Sequence, residues 1–237
     1  MWNSNLPGGF DKLNFYKGNF ESSNWYGIPD LLEDDVEFDK LVSYKNTLRP
    51  SKSELEGCVH FFLDDYQFEG VWNAPVKTLS RIQKFKGALT PDFSLYMDMP
   101  KALQILNVYR NRWIGRFWQE QGIHVIPTVS WSDVQSFDFA FRGIPHHNPV
   151  AVSTVGVPKD SYEHFVRGFD AMYRKIYPRK VYFYGEKEII DFRHYNTECI
   201  KCDTYWKKRR GEKNWEEGDS TATLSIEKLN EQTLQSK

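Results

Sequence analysis

The sequence is poor in cysteine and has no long apolar run. Its three cysteines, in 237 residues, are an odd number and too few for a disulfide scaffold. No stretch approaches the roughly 20 apolar residues that a membrane-spanning helix requires, and the first residues lack the basic start and apolar run of a signal peptide. These absences predict a cytoplasmic protein without a membrane partner.

Several common catalytic signatures are also missing. The chain contains neither a glycine-rich phosphate loop ending in Gly-Lys-Ser/Thr nor a Gly-x-Gly-x-x-Gly dinucleotide turn. It also lacks a Gly-x-Ser-x-Gly nucleophile elbow and a His-Glu-x-x-His zinc helix. The commonest kinds of ATPase, Rossmann enzyme, serine hydrolase and metalloprotease are therefore disfavoured.

Charge of neither sign is in excess. The formal net charge is −1, so composition gives no electrostatic signature of nucleic-acid binding. Charge does cluster locally, in an acidic run over residues 30–39 and a basic run at residues 207–210. We interpret both runs as solvated surface.

Short apolar runs alternate with helical patterns through the middle of the chain. Strands are predicted at residues 41–44, 59–63, 94–97, 124–129, 150–155 and 181–184. Helices are predicted at residues 76–85, 100–121 and 162–176. This alternation predicts an α/β fold with a mainly parallel sheet. The sheet is either open or barrel-like, and we favour the barrel-like form.

We expect a single domain with two attached segments. Residues 1–40 are rich in turn signals and predict an irregular N-terminal wrap. Residues 41–195 form the predicted α/β core. Residues 196–237 are polar and predict a partly disordered tail.

Polar side chains follow most of the predicted strands at the point where each strand ends. Because parallel α/β folds bind ligands at the carboxyl ends of their strands, these side chains are candidates for a site. The candidate catalytic carboxylates are Asp64, Asp65, Asp92 and Asp98. The candidate ligand-binding residues are Arg110, Arg112, Trp72, Trp131, Ser153 and Glu186.

Each of these residue types suits a particular chemistry. Paired carboxylates in a partly dry cleft have separated pKa values, so one serves as an acid and the other as a base. The same oxygens suit Mg²⁺ or Mn²⁺, which leaves a divalent metal open as a cofactor. Trp72, Trp131 and Tyr66 offer flat faces to a sugar or a base. Arg110 or Arg112 would hold an anion.

Structural roles compete with these functional ones. An aspartate that follows a strand often caps the next helix, and Asp98 and Asp133 both fit that role. Capping explains the Asp64–Asp65 pair less well, because Gly70 and Pro75 intervene before any predicted helix.

Other polar groups also have competing interpretations. Arg116 lies four residues before Glu120, which favours a solvated ion pair on a helix. The His146–His147 pair is most simply a surface loop. A zinc site would require four ligands. The available ligands are Cys58, His194, Cys199 and Cys202, of which only the last two form a recognisable half-motif.

Four short motifs occur in a fixed order in the middle of the chain. They are Phe-Leu-Asp-Asp-Tyr at 62–66, Thr-Pro-Asp-Phe-Ser at 90–94, Tyr-Arg-Asn-Arg-Trp at 109–113 and Val-Ile-Pro-Thr-Val-Ser-Trp at 125–131. Through them, roughly residues 30–190 resemble a domain family of bacteria, phages and mobile elements, number 4417 in the domain-of-unknown-function series. The resemblance implies a cytosolic protein of mobile-element type. It implies no particular activity, cofactor or catalytic residue.

Two classes of function fit the sequence. The first is a hydrolase or transferase that acts on a sugar-, nucleotide- or nucleic-acid-like ligand at the carboxyl edge of the sheet. The alternative is a non-enzymatic binding protein of a mobile element, whose partner is a host protein, a nucleotide signal or a nucleic acid. The sequence leaves both open.

Overall fold

Seven strands lie side by side in the same order in which they follow one another along the chain. The computed structural model describes residues 11–202. Its strands are β1 (Leu41–Ser43), β2 (Cys58–His60), β3 (Gly87–Leu89), β4 (Val125–Ile126), β5 (Val150–Ser153), β6 (Lys180–Tyr184) and β7 (Glu198–Cys202). Strands β1 to β4 form one parallel sheet and β5 to β7 another. A parallel bridge between Thr128 and Ala151 joins the two. The predicted α/β fold with a mainly parallel sheet is confirmed.

Helices separate most of the strands. They are α1 (Lys52–Leu55), α2 (Gly70–Asn73), α3 (Pro75–Ile82), α4 (Lys101–Glu120), α5 (Phe137–Ala140) and α6 (Tyr162–Ile176). Helix α4 begins after Pro100 and is followed by Gly122 in the left-handed region at φ 75°. The two long helices, α4 and α6, lie where the sequence predicted them. Within residues 11–202, no helix combines the length and apolarity needed to cross a bilayer.

One cluster of buried side chains is shared by both sheets. It includes Cys58, Phe62, Leu89, Ile126, Ala151, Tyr182, Tyr184 and Cys202. The ring of Tyr184 in β6 lies 4.9 Å from His60 and 4.8 Å from Phe62, which belong to β2 and the residues after it. Because the strand order never reverses and both sheets face one interior, the arrangement is barrel-like, with seven strands described rather than the eight of a full barrel.

The opposite faces of the strands pack against helices. Val59, Ala88 and Val125 share a cluster with Trp113 and Trp118 of α4. A second cluster contains Val150, Val152, Val181 and Phe183 together with Phe165, Phe169 and Met172 of α6. The central strands are thus buried on both faces, which explains why continuous apolar runs mark them in the sequence.

The third strand is not where the sequence predicted it. Residues 94–97 are irregular, and the strand is the earlier segment Gly87–Leu89. This segment is short and begins with glycine, so its intrinsic preference for β-structure is weak. The glycine allows close packing, since a Cβ there would lie 3.0 Å from the carbonyl oxygen of His124 and would push that backbone aside by a few tenths of an ångström.

The α/β core also extends further than expected. The segment Glu198–Cys202, within the expected polar tail, pairs with β6 as the last strand. As the outermost strand of its sheet, it is polar and only partly covered. The rest of the predicted tail, including the basic run at 207–210, and the first ten residues of the predicted wrap lie outside the described residues.

Residues 11–40 contain turns but no helix or strand, and they are fastened to the core at several points. The amide of Leu31 donates to the carbonyl of Gly143 at 2.9 Å. The carboxylate of Asp34 accepts a 2.8 Å hydrogen bond from the amide of Val125 at the start of β4. Phe38 stacks on Tyr182 at 4.2 Å between ring centroids. This segment therefore covers part of the barrel and completes its interior.

Substituting Gly143 tests how tightly this segment is held. Gly143 has φ 71°, and a Cβ there would lie 2.2 Å from the carbonyl oxygen of Pro29. We expect Gly143→Ala to lower the free energy of unfolding by about 2–4 kcal/mol in urea titrations, because strain and overlap with backbone add together. Gly156 has φ 81° but open space around it, so Gly156→Ala should cost only about 1 kcal/mol. Equal losses in the two variants would show that the contact with Pro29 is unimportant.

Candidate functional site

Asp92 is the candidate carboxylate whose pKa is shifted most by its surroundings. It follows β3 by three residues and is partly buried at the carboxyl end of the strand. Burial, reinforced by the nearby charge of Asp65, raises the pKa of Asp92 to about 7, and a hydrogen bond with the side chain of Ser130 only partly opposes this. Asp92 can therefore both give and accept a proton near neutral pH.

Asp65 connects the loops that follow β2 and β3. Its carboxylate accepts hydrogen bonds from Ser94, from the backbone amide at 3.2 Å and from the hydroxyl at 2.9 Å. Since Ser94 lies two residues after Asp92, these hydrogen bonds also hold the backbone beside Asp92 in place. The fixed negative charge near Asp92 favours the protonated form of that carboxyl group.

The other two candidate carboxylates are exposed. Asp64 precedes the short 3₁₀ turn Asp65–Gln67 and accepts a 2.7 Å hydrogen bond from the side-chain amide of Gln67. Asp98 lies in the turn before α4. Among the described residues, hydrogen bonds link Asp65 to Ser94 and Asp92 to Ser130. None of them links Asp98 to Asp65 or to Asp92.

Three amide side chains on α4 hold the loops around Asp92. Gln104, Asn107 and Asn111 are buried and are spaced so that they lie along one side of the helix. Asn107 donates to the carbonyl of Ser94 at 2.8 Å, and Asn111 donates to the carbonyl of Pro91 at 2.8 Å. Gln104 donates to the carbonyls of Tyr96 and Met99 and accepts from the hydroxyl of Ser132 at 2.6 Å. The helix thus adds hydrogen bonds to those that the irregular backbone makes with itself.

The two candidate arginines have different environments. Arg112 is 2% exposed and donates to the carbonyls of Arg142 at 3.0 Å, Thr128 at 3.2 Å and Ala140 at 2.8 Å. Burial lowers the pKa of its guanidinium to about 9, so it stays charged at neutral pH. Arg110 forms an ion pair with Glu69 and lies 3.8 Å over the ring of Phe93. Both arginines are therefore engaged within the protein.

A small pocket lined by both polar and apolar side chains opens beside these groups. Its walls include Phe93, Leu95, Asn107, Asn111, Arg112, Thr128 and Ser130. About 190 Å³ is free of atoms when the opening to solvent is included, but the enclosed part holds about one water molecule. A ligand larger than a water molecule does not fit in the enclosed part of the pocket. It would lie across the mouth of the barrel, which is the opening at the carboxyl ends of the strands.

Neither candidate tryptophan lines this pocket. Trp72 is 5% exposed and packs edge-on against Trp113 at 5.6 Å. Trp131 packs against Phe165 at 5.0 Å and occupies the space that a side chain on Gly168 would need. Their contacts are those of core residues, and we leave both out of the site proposed below. Tyr66, by contrast, is 78% exposed in the turn after β2.

Ser153 and Glu186 lie at the ends of the other sheet's strands. The hydroxyl of Ser153 accepts from the amide of Val155 at 3.0 Å. Glu186 is exposed and accepts from the hydroxyl of Tyr162 at 2.8 Å. No hydrogen bond among the described residues links either side chain to Asp65 or Asp92.

The four potential zinc ligands are not brought together. Cys199 packs with the cluster between β5–β7 and α6, whereas Cys202 lies in the barrel interior with Cys58. His194 is exposed and faces Asp191. Among residues 11–202, no group of three or more His, Cys, Asp or Glu is arranged to hold a metal ion.

Asp133, Arg116 and the two adjacent histidines have structural or surface positions rather than positions in the site. Asp133 caps the turn that follows it, since its carboxylate accepts from the amide of Ser136 at 3.2 Å. Arg116 and Glu120 form the expected ion pair at 2.7 Å. His146 and His147 are both exposed in a loop.

Several residues of the site were not among the sequence-based candidates. Ser94 and Ser130 contact the two aspartates, and Asn107 and Asn111 hold the loops. The regular spacing of the amides in the long helix was a usable signal, because amide side chains that recur on one side of a buried helix need partners. The two serines carry no such signal, since serine is common in any loop.

Relatives of this chain are found in phages. A "Gene 1 protein" of Mycobacterium phage L5 is 41% identical over 210 residues, which cover 87% of this chain and 91% of the relative. A "Gene 1 protein" of Mycobacterium phage D29 is 39% identical over 221 residues, which cover 91% and 81% respectively. No solved structure matches this chain significantly. The family model "Domain of unknown function (DUF4417)" matches residues 20–203. The resemblance seen in the sequence is thus confirmed, and this chain belongs to the DUF4417 family.

Proposed function

We propose that this protein is a hydrolase whose active site lies at the carboxyl ends of β2, β3 and β4. Its substrate belongs to the sugar-, nucleotide- or nucleic-acid-like ligands that the sequence suggested, and the cytoplasm is its proposed location. The observation that carries the proposal is the environment of Asp92. A carboxyl group with a pKa near 7, at the strand ends of a barrel-like fold, is suited to general acid catalysis.

Each carboxylate has a distinct role in the proposed reaction. Asp92 donates its proton to the leaving oxygen as the scissile bond breaks, and the electron pair of that bond stays on this oxygen. A water molecule forms the new bond to the electrophilic atom, and Asp64 accepts the proton that the water loses. Asp92 regains a proton from solvent and Asp64 releases one, so the net change is the addition of water across the bond.

Two further groups position this pair. Gln67 orients Asp64 through the 2.7 Å hydrogen bond. Asp65 is held by Ser94, so we assign to it the positioning of the loop and the electrostatic support of the protonated Asp92. The alternative, a binding protein without turnover, gives no role to a proton held at neutral pH, and we therefore favour the enzyme.

The pH dependence of turnover tests the role of Asp92. We expect the full-length chain to hydrolyse at least one member of a panel of nitrophenyl glycosides and nitrophenyl phosphodiesters. Because the acid must be protonated, kcat/KM should fall about tenfold per pH unit above about pH 7. The Asp92→Asn variant should lose about 10²- to 10⁴-fold in kcat and also lose this alkaline limb.

The exposed Asp98 provides a matched control for the activity measurement. The Asp98→Asn variant removes a carboxyl group from the next turn and should keep the rate of the unsubstituted chain. Turnover that persists unchanged in Asp92→Asn would refute the proposal, and so would absence of hydrolysis across the whole panel.

The protonation state of Asp92 can also be tested without a substrate. Its pKa is about 7 in the folded chain against an ordinary value of 3.8. Between these values the folded state holds the proton and the unfolded state does not, so this contribution to stability is lost as pH rises to about 7. In urea titrations, Asp92→Asn should gain stability relative to the unsubstituted chain from about pH 4 to pH 7, by on the order of 1–3 kcal/mol.

The Asp98→Asn variant again serves as the control for this comparison. A gain of the same size and pH dependence in that variant would assign the effect to the general loss of negative charge. A gain confined to Asp92→Asn would assign it to the burial of that carboxyl group.

A further inference from the structure

Two exposed tyrosine rings lie on the loops that carry the proposed catalytic carboxylates. Tyr66 directly follows Asp65 and is 78% exposed, and Tyr96 lies two residues after Ser94 and is 60% exposed. The hydrogen bonds between Asp65 and Ser94 hold these two loops together. Exposed aromatic rings placed on the loops of the proposed site are suited to contact with a ligand, because they offer it a flat apolar face.

The three loops that follow β2, β3 and β4 form one face of the site, and the charge of this face is strongly one-sided. The loops at 61–69, 90–100 and 127–136 contain three, two and one carboxylates respectively, and they contain no lysine or arginine. The carboxylates are Asp64, Asp65, Glu69, Asp92, Asp98 and Asp133. A face of this composition repels phosphate groups, and nucleic acids carry a phosphate at every residue.

The cations of α4 that lie near these loops are already engaged within the protein. Lys101 contacts Asp133 at 2.5 Å, and Arg110 forms an ion pair with Glu69. Within residues 11–202, Asp64, Asp65, Asp92 and Asp98 form no ion pair with a lysine or an arginine. Arg112, a third cation of α4 near these loops, is buried and donates to the backbone carbonyls of Arg142, Thr128 and Ala140. None of these three cations of α4 is therefore left free to hold a phosphate at the three loops.

A cationic ligand is disfavoured for a different reason. A positive charge placed beside Asp92 would stabilise its ionised form and lower its pKa. The site would then lose the proton that the proposed reaction requires. The ligand that suits both the charge of the face and the acid is uncharged.

We propose that the substrate is a neutral carbohydrate chain, which lies across the mouth of the barrel with sugar rings against Tyr66 and Tyr96. This inference rests on the proposed hydrolase function and names its substrate class. The apolar C–H faces of sugars stack on aromatic rings, and sugar hydroxyls donate hydrogen bonds to carboxylates. The glycosidic C–O bond breaks as its oxygen takes the proton of Asp92, and the oxygen of water bonds to the anomeric carbon as Asp64 takes the proton of that water.

Binding to defined oligomers tests the substrate class. The full-length Asp92→Asn variant would be titrated calorimetrically with cellohexaose, maltohexaose and the hexamer of N-acetylglucosamine, and separately with oligo-dT and hexalysine. We expect binding to at least one neutral hexamer and none to oligo-dT. Tyr66→Ala and Tyr96→Ala should each weaken that binding about threefold to tenfold.

A third aromatic residue provides the matched control. Trp25 is 98% exposed but lies in the N-terminal segment, outside the three loops, so Trp25→Ala should leave the affinity unchanged. Because all three rings are exposed, the variants should keep the circular dichroism spectrum and Tm of the parent. Equal weakening by Trp25→Ala would show that the tyrosines have no special role and would overturn the inference.

The outcomes separate this inference from the proposed function on which it rests. If Asp92-dependent hydrolysis occurs with a phosphodiester and no neutral hexamer binds, the carbohydrate assignment is wrong and the hydrolase stands. If a neutral hexamer binds through the tyrosines but the unsubstituted chain never cleaves it, the hydrolase is wrong and the carbohydrate surface stands. Tighter binding of oligo-dT or hexalysine than of every neutral hexamer overturns the inference directly.

Discussion

The geometry of the candidate site depends on hydrogen bonds between buried side chains of α4 and the irregular loops after β3 and β4. The backbone of these loops makes few hydrogen bonds with itself, such as those from the amide of Phe93 to Pro91 and from the amide of Met99 to Tyr96, and a buried carbonyl without a partner is costly. Asn107 donates to the carbonyl of Ser94, and Asn111 gives the carbonyl of Pro91 a second donor besides the amide of Phe93. Since Asp92 lies between these two carbonyls in the chain, its position follows from the helix rather than from the loop itself. The same loop then presents Ser94 to Asp65, which links it to the end of β2.

Burial of Asp92 raises its pKa at a cost in stability. A carboxyl group near a second carboxylate and away from water resists ionisation, so its pKa rises toward neutrality. At neutral pH the folded chain carries part of this cost, and the packing around α4 must offset it. Strained or desolvated groups persist only where the surrounding structure over-determines them. Here Asp65 follows β2 and Ser130 follows β4, so the environment of Asp92 is assembled from the ends of two other strands.

Much of the architecture was predictable because it follows from periodicity. Helices α4 and α6 have long apolar faces with clear ends, and the central strands are continuous apolar runs. The third strand was misplaced because a short segment beginning with glycine has little intrinsic signal, whereas its role depends on close contact with His124. Misplacing this strand made Asp98 a candidate for the site alongside Asp92, although only Asp92 follows the observed strand β3. The burial of Trp72 could not be predicted either, because a tryptophan after a strand is equally compatible with a stacking surface and with a core.

Arg112 shows why folding and chemistry are difficult to separate in this protein. Its charge is buried without a carboxylate partner among the described residues, and its guanidinium instead bonds to carbonyls at the end of α5, just after α5 and after β4. Arginine is suited to this because its donors form a rigid fork, which a lysine could not reproduce. Removing it would leave several carbonyls unpaired next to the pocket, and the loop carrying Ser130 would move. A loss of activity on substituting Arg112 would therefore report on loop geometry, whereas substitutions of the exposed Asp64 and the conservative Asp92→Asn change would report on the proposed reaction.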